Sequence, residues 1–454
     1  MYTGLTKQLN FGNYLIGEII PEDHELVKLK KIVDWEKMNK IYSECYRSNK
    51  GNATKRSDMV LGLFILRHLY QKPYRVLIDE LHVNLAYMDF CSVSSEEIID
   101  MKKKGKRIID HSSLIKIKQR LGHERFERIV KIFTSQLIAK GFIGGKYMFS
   151  DTTSLEKNII YPTDVSLLKR VIEEAEAVVQ KVRYKKEITK SEVIRKADRI
   201  SKIYYSSSKK TKELIQSTCK ELIKIAEKTV KKAGEKITLE SVKSKKYIIE
   251  RYVKVKEVGE KIIRQTKEYH LEGKKIQDRI VNYYEDHARS LPKGKVGKPM
   301  EFGDKLRIDM SGNGYVTNYK LYTGNPSEST MLEETIEEHK DVFKENFYAA
   351  GFDRAFYDES RMNELEEKYN IILAIPHKKD RSKPIGKRKE KIYNRRAAIE
   401  AKISEGKRMC GLDKSLYRGF DGDQIWTSLS IFALNIRKVM REISKKPALI
   451  NRFA

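Results

Sequence analysis

The sequence predicts an α/β protein in which helices flank a mixed sheet, an all-α domain precedes it, and a large helical insertion separates the first and second core strands. Three observations point there. Residues 1–142 repeat their apolar side chains at helical spacing. Between Pro162 and Pro292 there is no proline, and the only glycines are Gly234, Gly259 and Gly273. The remainder, 143–162 and 292–445, reads as strand, hairpin, helix, strand, helix, strand, helix. The expected division is therefore 1–142 for a helical N-terminal domain, 143–162 with 292–445 for the core, and 163–291 for the insertion.

In the first domain, Pro21 to Tyr46 places Leu26, Leu29, Ile32, Val33 and Trp35 at helical spacing. Arg56 to Tyr70 is apolar nearly all round, the pattern of a buried helix. Asp110, Ser112 or Ser113 can cap a helix that runs to Leu121 and is ended by Gly122, and a second helix follows over His123 to Lys140. Two helices joined at a glycine and carrying Lys116, Lys118 and Arg120 suit a DNA-binding unit and, equally, a packed helical pair.

The segment YMFSD is a short buried strand delivering Asp151. In the insertion, apolar residues recur at three- and four-residue steps, as in Leu222, Ile225, Ala226 and Val230. Residues 163–290 hold 33 Lys or Arg and 20 Asp or Glu, a net of +13. Several long helices are expected, as a helical hairpin or a coiled-coil arm, although no strict heptad persists. Such a block can be scaffold, dimer contact or grip on DNA. After LPKGKVGKPM, the runs EFGDKLRIDM and GYVTNYKLYTG form a hairpin around Ser311, Gly312 and Asn313. A helix from about Ser329 to Glu345 leads to the strand FYAAGFD, which ends at Asp353. Then come a helix over Glu359 to Tyr369, the buried strand IILAIP, the basic loop HKKDRSKPIGKRKEK and a helix bearing Glu400. Asp413 to Gly422 reads as a loop, and Ile425 to Ile443 as a last helix with Trp426, Leu429, Phe432, Ala433 and Ile436 on its apolar side.

Composition narrows the partner. The 454 residues include 92 Lys or Arg against 63 Asp or Glu, a net charge of +29. That excess favours a polyanion, most simply nucleic acid, over an anionic membrane. The cysteines Cys45, Cys91, Cys219 and Cys410 lie far apart and fit reduced thiols of a cytoplasmic protein rather than a disulfide frame or zinc site. The opening MYTGLTKQLNF has no apolar signal core, and the most apolar run, Met59 to Leu66, is too short to span a bilayer. No pair of histidines has HxxH or HxxxH spacing, so a histidine-ligated metal is not expected.

The chemistry is concentrated in KIYNRRAAIEAKISEGK, Lys391 to Lys407. On one helix, Tyr393, Arg396, Glu400 and Lys407 fall within an arc of roughly 60°. Ile392, Ile399 and Ile403 run beside that stripe, so the helix can bury its isoleucines and turn the polar stripe into a cleft. A carboxylate can hold a divalent metal, while Arg, Lys and Tyr can grip phosphate oxygens. The same spacing also occurs on solvated helices, and Gly406 would cost about 1 kcal/mol inside this one. Asp151, Asp353 and Glu400 converging at a sheet edge would repel one another, and two Mg²⁺ ions would remove that cost.

The chain resembles the DDE transposases of bacterial insertion sequences. The branch it resembles is marked by Tyr, two residues, Arg, three residues, Glu, six residues, Lys, which Tyr393, Arg396, Glu400 and Lys407 match at every spacing. Asp151 in SDTTS resembles the first aspartate of that family and Asp353 in GFDRAF the second. NIIYPTD, KGKVGKPMEFGDK, RSDMVLGLFILRHL and DHSSLIKIKQRLG are also similar to family segments. The resemblance implies a ribonuclease H-like core and two divalent cations, Mg²⁺ with Mn²⁺ able to substitute, on Asp151, Asp353 and Glu400. It implies contacts of Tyr393, Arg396 and Lys407 with DNA near the cleaved end. It also implies double-stranded DNA partners (element ends and target), a homodimer on DNA, no small-molecule substrate, and a place at the bacterial nucleoid. One position departs: Ala355 stands where the family usually has glycine, which would strain a backbone of positive φ. A metal-dependent endonuclease without strand transfer, a catalytically silent DNA-bridging derivative and a helical scaffold are the competing readings.

Overall fold

The computed structural model describes residues 16–46, 54–181, 191–240, 246–295, 298–345, 347–378 and 384–453. The stretch MYTGLTKQLNF, residues 379–383 of the basic loop and residues 296–297 lie outside them. The chain divides into two units. One is Met1–Leu155, Lys305–Tyr322 and Pro326–Ala454; the other is Glu156–Asp304 with Thr323–Asn325.

The first unit begins with α1 (Glu25–Ile32), α2 (Trp35–Ser43), α3 (Ser57–Leu69), α4 (Tyr74–Leu81), α5 (Leu85–Phe90), α6 (Ser95–Lys103) and α7 (His111–Ala139). The expected helical segment before Tyr46 is two helices, because Val33 is extended (φ −78°, ψ 125°) and the Asp34 carboxylate caps the second by accepting from Lys37 N–H. Every residue of α3 is buried, as its all-round apolarity requires. Gly122 interrupts α7 with φ 69° and ψ 169°, a conformation open essentially to glycine, so the expected two helices meet there. Asp110 occupies the N-cap position but makes no side-chain cap bond. The chain then enters β1 (Tyr147–Lys157), which continues past Asp151 instead of ending there.

The second unit holds α8 (Asp164–Val179), α9 (Glu192–Ser206), α10 (Lys212–Glu240), α11 (Lys246–Lys254), a π-helical turn (Val255–Gly259) and α12 (Glu260–His270). Here α10 packs on α8, α9 and α12. Leu168, Val171, Ile172, Leu222, Ala226, Val255 and Ile262 share one core. It is therefore a bundle rather than a two-stranded coil, in keeping with the missing heptads. Inside it, Arg251 meets Glu174 at 2.7 Å, and the Tyr284 hydroxyl donates to the other Glu174 oxygen. β2 (Arg289–Lys295) pairs antiparallel with the start of β3 (Lys298–Ser311), Arg289 opposite Gly303.

The rest of the first unit completes the sheet with β4 (Val316–Tyr322), α13 (Leu332–Phe343), β5 (Ala349–Phe352), α14 (Glu359–Tyr369), β6 (Ile372–Ala374), α15 (Lys387–Arg395), α16 (Ala397–Cys410), β7 (Lys414–Ser415) and α17 (Gly419–Lys445). Strand order within the unit is β4, β3, β1, β5, β6, with β7 on β1. β3 and β4 form the expected antiparallel hairpin, while β1, β5 and β6 are parallel. All four residues of β5 are buried, as a parallel strand covered on both faces should be. Successive β1 residues serve opposite layers: Met148 packs with Leu332, Ile336 and Phe352, and Phe149 belongs to the core of Ile392, Ile399 and Phe432. Two expected boundaries move. A 3₁₀ turn (Glu328–Met331) precedes α13, and the expected loop after Asp413 contains β7 and the start of α17. Among the described residues no helix is long and apolar enough to cross a membrane.

Candidate active site

Asp151 follows Ser150 in β1, and Asp353 follows Phe352 at the end of β5. Ser150 and Phe352 are register partners of a parallel pair. The two aspartates therefore leave neighbouring strands at the same level, at a strand separation of about 5 Å. Asp353 is extended (φ −71°, ψ 159°) and caps the 3₁₀ turn Arg354–Phe356, its Oδ1 accepting from Arg354 N–H at 2.8 Å. Asp151 Oδ1 accepts from Thr152 N–H at 2.8 Å.

The third carboxylate comes from the helix pair α15 and α16. They abut at Arg396, whose φ and ψ (−60°, −27°) are helical, so the expected single helix is two with a tight joint. Ile392, Ile399 and Ile403 are buried as their spacing predicts. With the isoleucines inward, Arg396 reaches β1 at Asp151. Its Nη1 donates to Asp151 Oδ2 at 2.8 Å and its Nη2 to Glu400 Oε1 at 2.5 Å. Its guanidinium carbon is 5.3 Å from the Tyr393 ring centroid. Arg396 is only 7% exposed, whereas the Glu400 side chain is 60% exposed.

Burial pushes the Asp151 carboxyl up, to about 6; Asp353 and Glu400 push the same way, while Arg396 and the Thr152 N–H pull it down. Burial also works against the Arg396 charge, but Asp151, Asp353, Tyr393 and Glu400 outweigh it and hold that guanidinium more firmly protonated than usual. The site is thus short of positive charge: one guanidinium faces three acids. Hard carboxylate oxygens with no sulfur or imidazole beside them in these contacts suit Mg²⁺ or Mn²⁺.

Lys407 lies on α16 seven residues beyond Glu400, about 10 Å along the same side, and is half-buried. The helix tolerates Gly406 because packing demands it. A Cβ there would stand 2.5 Å from Leu412 Cδ1, and Leu412 N–H donates to the Gly406 carbonyl at 3.1 Å. Ala355 sits in the 3₁₀ turn and is not among the residues of positive φ, so the strain expected for a glycine substitute does not arise. Lys116 and Arg120 are exposed on α7, Arg120 stacking near Tyr46 at 5.1 Å. Lys118 is not: it is 8% exposed, its ammonium 3.0 Å from the Tyr417 ring centroid. Its helix face turns into the packing.

Sequence reasoning missed the support beneath Asp151. The buried Ser150 hydroxyl donates to Asp309 Oδ1 at 2.6 Å, and Arg307, fully buried, meets Asp309 Oδ2 at 3.1 Å. Arg307 also donates to Tyr322 and reaches Glu334 and Glu338. The clue was LRIDM, where charged residues occupy alternate positions of an otherwise apolar strand. Clefts of ≈ 690 Å³ (with Lys131, Tyr319 and Lys320) and ≈ 680 Å³ (with Lys402, Arg408 and Arg437) lie in this unit, and none of the three carboxylates lines either. Chemistry rather than volume identifies the site, where the adjacent strands β1 and β5 deliver their aspartates.

Comparison with protein families matches residues 15–120 to a transposase domain (DUF772) and residues 293–436 to a transposase DDE domain. The second match takes in Asp353, Tyr393, Arg396, Glu400 and Lys407. No curated protein and no solved structure matches the chain.

Proposed function

Because the chain belongs to the DDE-type transposases of the insertion-sequence kind, we propose that it cleaves DNA at the ends of its element and joins the freed 3′ ends to target DNA. The observation that carries this is the Arg396 bridge between Asp151 on β1 and Glu400 on α16, with Asp353 leaving the neighbouring parallel strand at the same level as Asp151. The three carboxylates would hold two divalent cations. When bound, these would activate a water or a 3′-hydroxyl and stabilise the leaving oxygen of a phosphodiester. Asp151 and Asp353, fixed by backbone N–H groups, set the position of the scissile phosphate; exposed Glu400 completes the set from the helix. Tyr393, Arg396 and Lys407 would hold phosphates near the cleaved end.

The strand order β4, β3, β1, β5, β6, with an antiparallel hairpin and parallel β1, β5 and β6, supports a ribonuclease H-like core. The spacing of Tyr393, Arg396, Glu400 and Lys407 supports the branch with that signature. Grip on the DNA backbone would come from Lys116 and Arg120 and from the exposed lysines of α10 (Lys220, Lys224, Lys228, Lys231 and Lys232). The working form would be a homodimer on DNA, since two element ends must be joined, and its place the cytoplasm, at the nucleoid.

The test incubates the protein with labelled DNA carrying the element's terminal sequence and a plasmid target. Joined products in Mg²⁺ that vanish in EDTA and in Asp151→Ala, Asp353→Ala and Glu400→Gln are the expected result. Cutting without joining would replace transposition by endonuclease activity. Metal-independent binding with neither reaction would leave a DNA-bridging protein.

A further inference from the structure

We infer that Arg396 is an exchangeable counter-cation: it closes the three-carboxylate site to metal until a DNA phosphate draws the guanidinium away. The inference rests on the proposed metal site and adds to it an order of events, DNA before metal.

Both oxygens of Asp151 are already engaged, Oδ1 by Thr152 N–H at 2.8 Å and Oδ2 by Arg396 Nη1 at 2.8 Å. Glu400 gives Oε1 to Arg396 Nη2 at 2.5 Å. A cation approaching Asp151 and Glu400 together meets the guanidinium on that path. Two cations cannot share the position without strong repulsion. The guanidinium is itself held incompletely, since its Nε is buried without a hydrogen-bond partner. It is 7% exposed, so that orphaned N–H is not satisfied by bulk water. A phosphate offers what the present pose lacks: several anionic oxygens that accept a planar fork of N–H donors. The joint at Arg396 allows the exchange. The residue ends α15 and begins α16, with its N–H bonded to the Tyr393 carbonyl, and Tyr393 at this joint stands beside its guanidinium. Metal and DNA should therefore bind cooperatively through this one side chain, and reciprocally.

The experiment measures Mn²⁺ binding to the DNA-free full-length protein by the loss of the free-ion electron paramagnetic signal. Wild type, Arg396→Gln, Arg396→Lys and Lys407→Gln are compared, with thermal melts to verify folding. Removal of the counter-cation should tighten Mn²⁺ binding by about tenfold in Arg396→Gln. Arg396→Lys, which keeps the charge but cannot bridge two carboxylates, should fall between. Lys407→Gln, which removes a charge from the same helix but leaves the Asp151–Arg396–Glu400 bridge in place, should change affinity less than about threefold. The reciprocal measurement uses fluorescence anisotropy of a labelled terminal duplex in Ca²⁺ or EDTA at matched ionic strength. Wild-type DNA affinity should rise with Ca²⁺ more than that of Arg396→Gln. Equal or weaker Mn²⁺ binding by Arg396→Gln overturns the counter-cation role alone. Mn²⁺ binding by none of the proteins overturns the metal site itself.

Discussion

At the scale of single residues, the site is a problem of charge balance. Asp151 has its pKa raised to about 6 chiefly by burial, so ionising it costs more in the folded protein than in the unfolded chain. The sign follows directly. Below its ordinary value near 3.8 the penalty is absent; it grows as pH rises toward about 6 and is complete above. In EDTA, Asp151→Asn should therefore be more stable than wild type by about 1–3 kcal/mol at pH 8, and the difference should fade below about pH 4. Thermal melts at the two pH values check this, and Mg²⁺ added together with terminal DNA should then favour wild type. Equal melting in EDTA at pH 8 would mean that burial of this carboxylate is less costly than its surroundings indicate. Arg307 presents the opposite case. It is fully buried and meets Asp309 at 3.1 Å, with Glu334 and Glu338 beyond. Arg307→Met should cost about 3–5 kcal/mol in urea unfolding, because Asp309 would stay buried without its partner.

At the scale of elements, the sequence is legible where one residue decides the backbone and less so where a distant neighbour does. Gly122 predicts its own break in α7, because its φ of 69° with ψ 169° belongs to glycine. The isoleucine stripe of α15 and α16 predicts its own burial. Gly406 reads locally as a flaw, since only the fold reveals Leu412 against it. Gly406→Ala should then destabilise by about 1–3 kcal/mol, although alanine is the better helix former by about 1 kcal/mol. Denaturant unfolding decides between the two effects. Lys118 fails in the same way: its charge suggests DNA, yet Tyr417, far along the chain, takes its ammonium. The buried ladder of Ser150, Asp309 and Arg307 was hidden because strand pairing, not local pattern, brings β1 against β3.

At the scale of the whole molecule, the order of strands and helices, Asp353 at a strand end and the glutamate helix were readable from the chain, Asp151 was readable as a strand residue but not as one inside a longer strand, and the net charge of +29 pointed to the class of partner. The bundle in 164–270 was readable as helical but not as a bundle, because its core joins residues as distant as Val171 and Ile262. If its exposed lysines and those of α7 track a DNA backbone, log affinity should fall linearly with log salt. Lys116→Glu with Arg120→Glu, and separately Lys224→Glu with Lys228→Glu, should each lower that slope by about 2. An unchanged slope for either pair would assign that surface to solvent alone.

The most direct measurement is a crystal structure with Mn²⁺ and terminal DNA, using the anomalous signal of the metal. The account predicts Mn²⁺ between Asp151, Asp353 and Glu400, with Arg396 moved onto a DNA phosphate. Mn²⁺ bound elsewhere, with Arg396 still bridging Asp151 and Glu400, would contradict it.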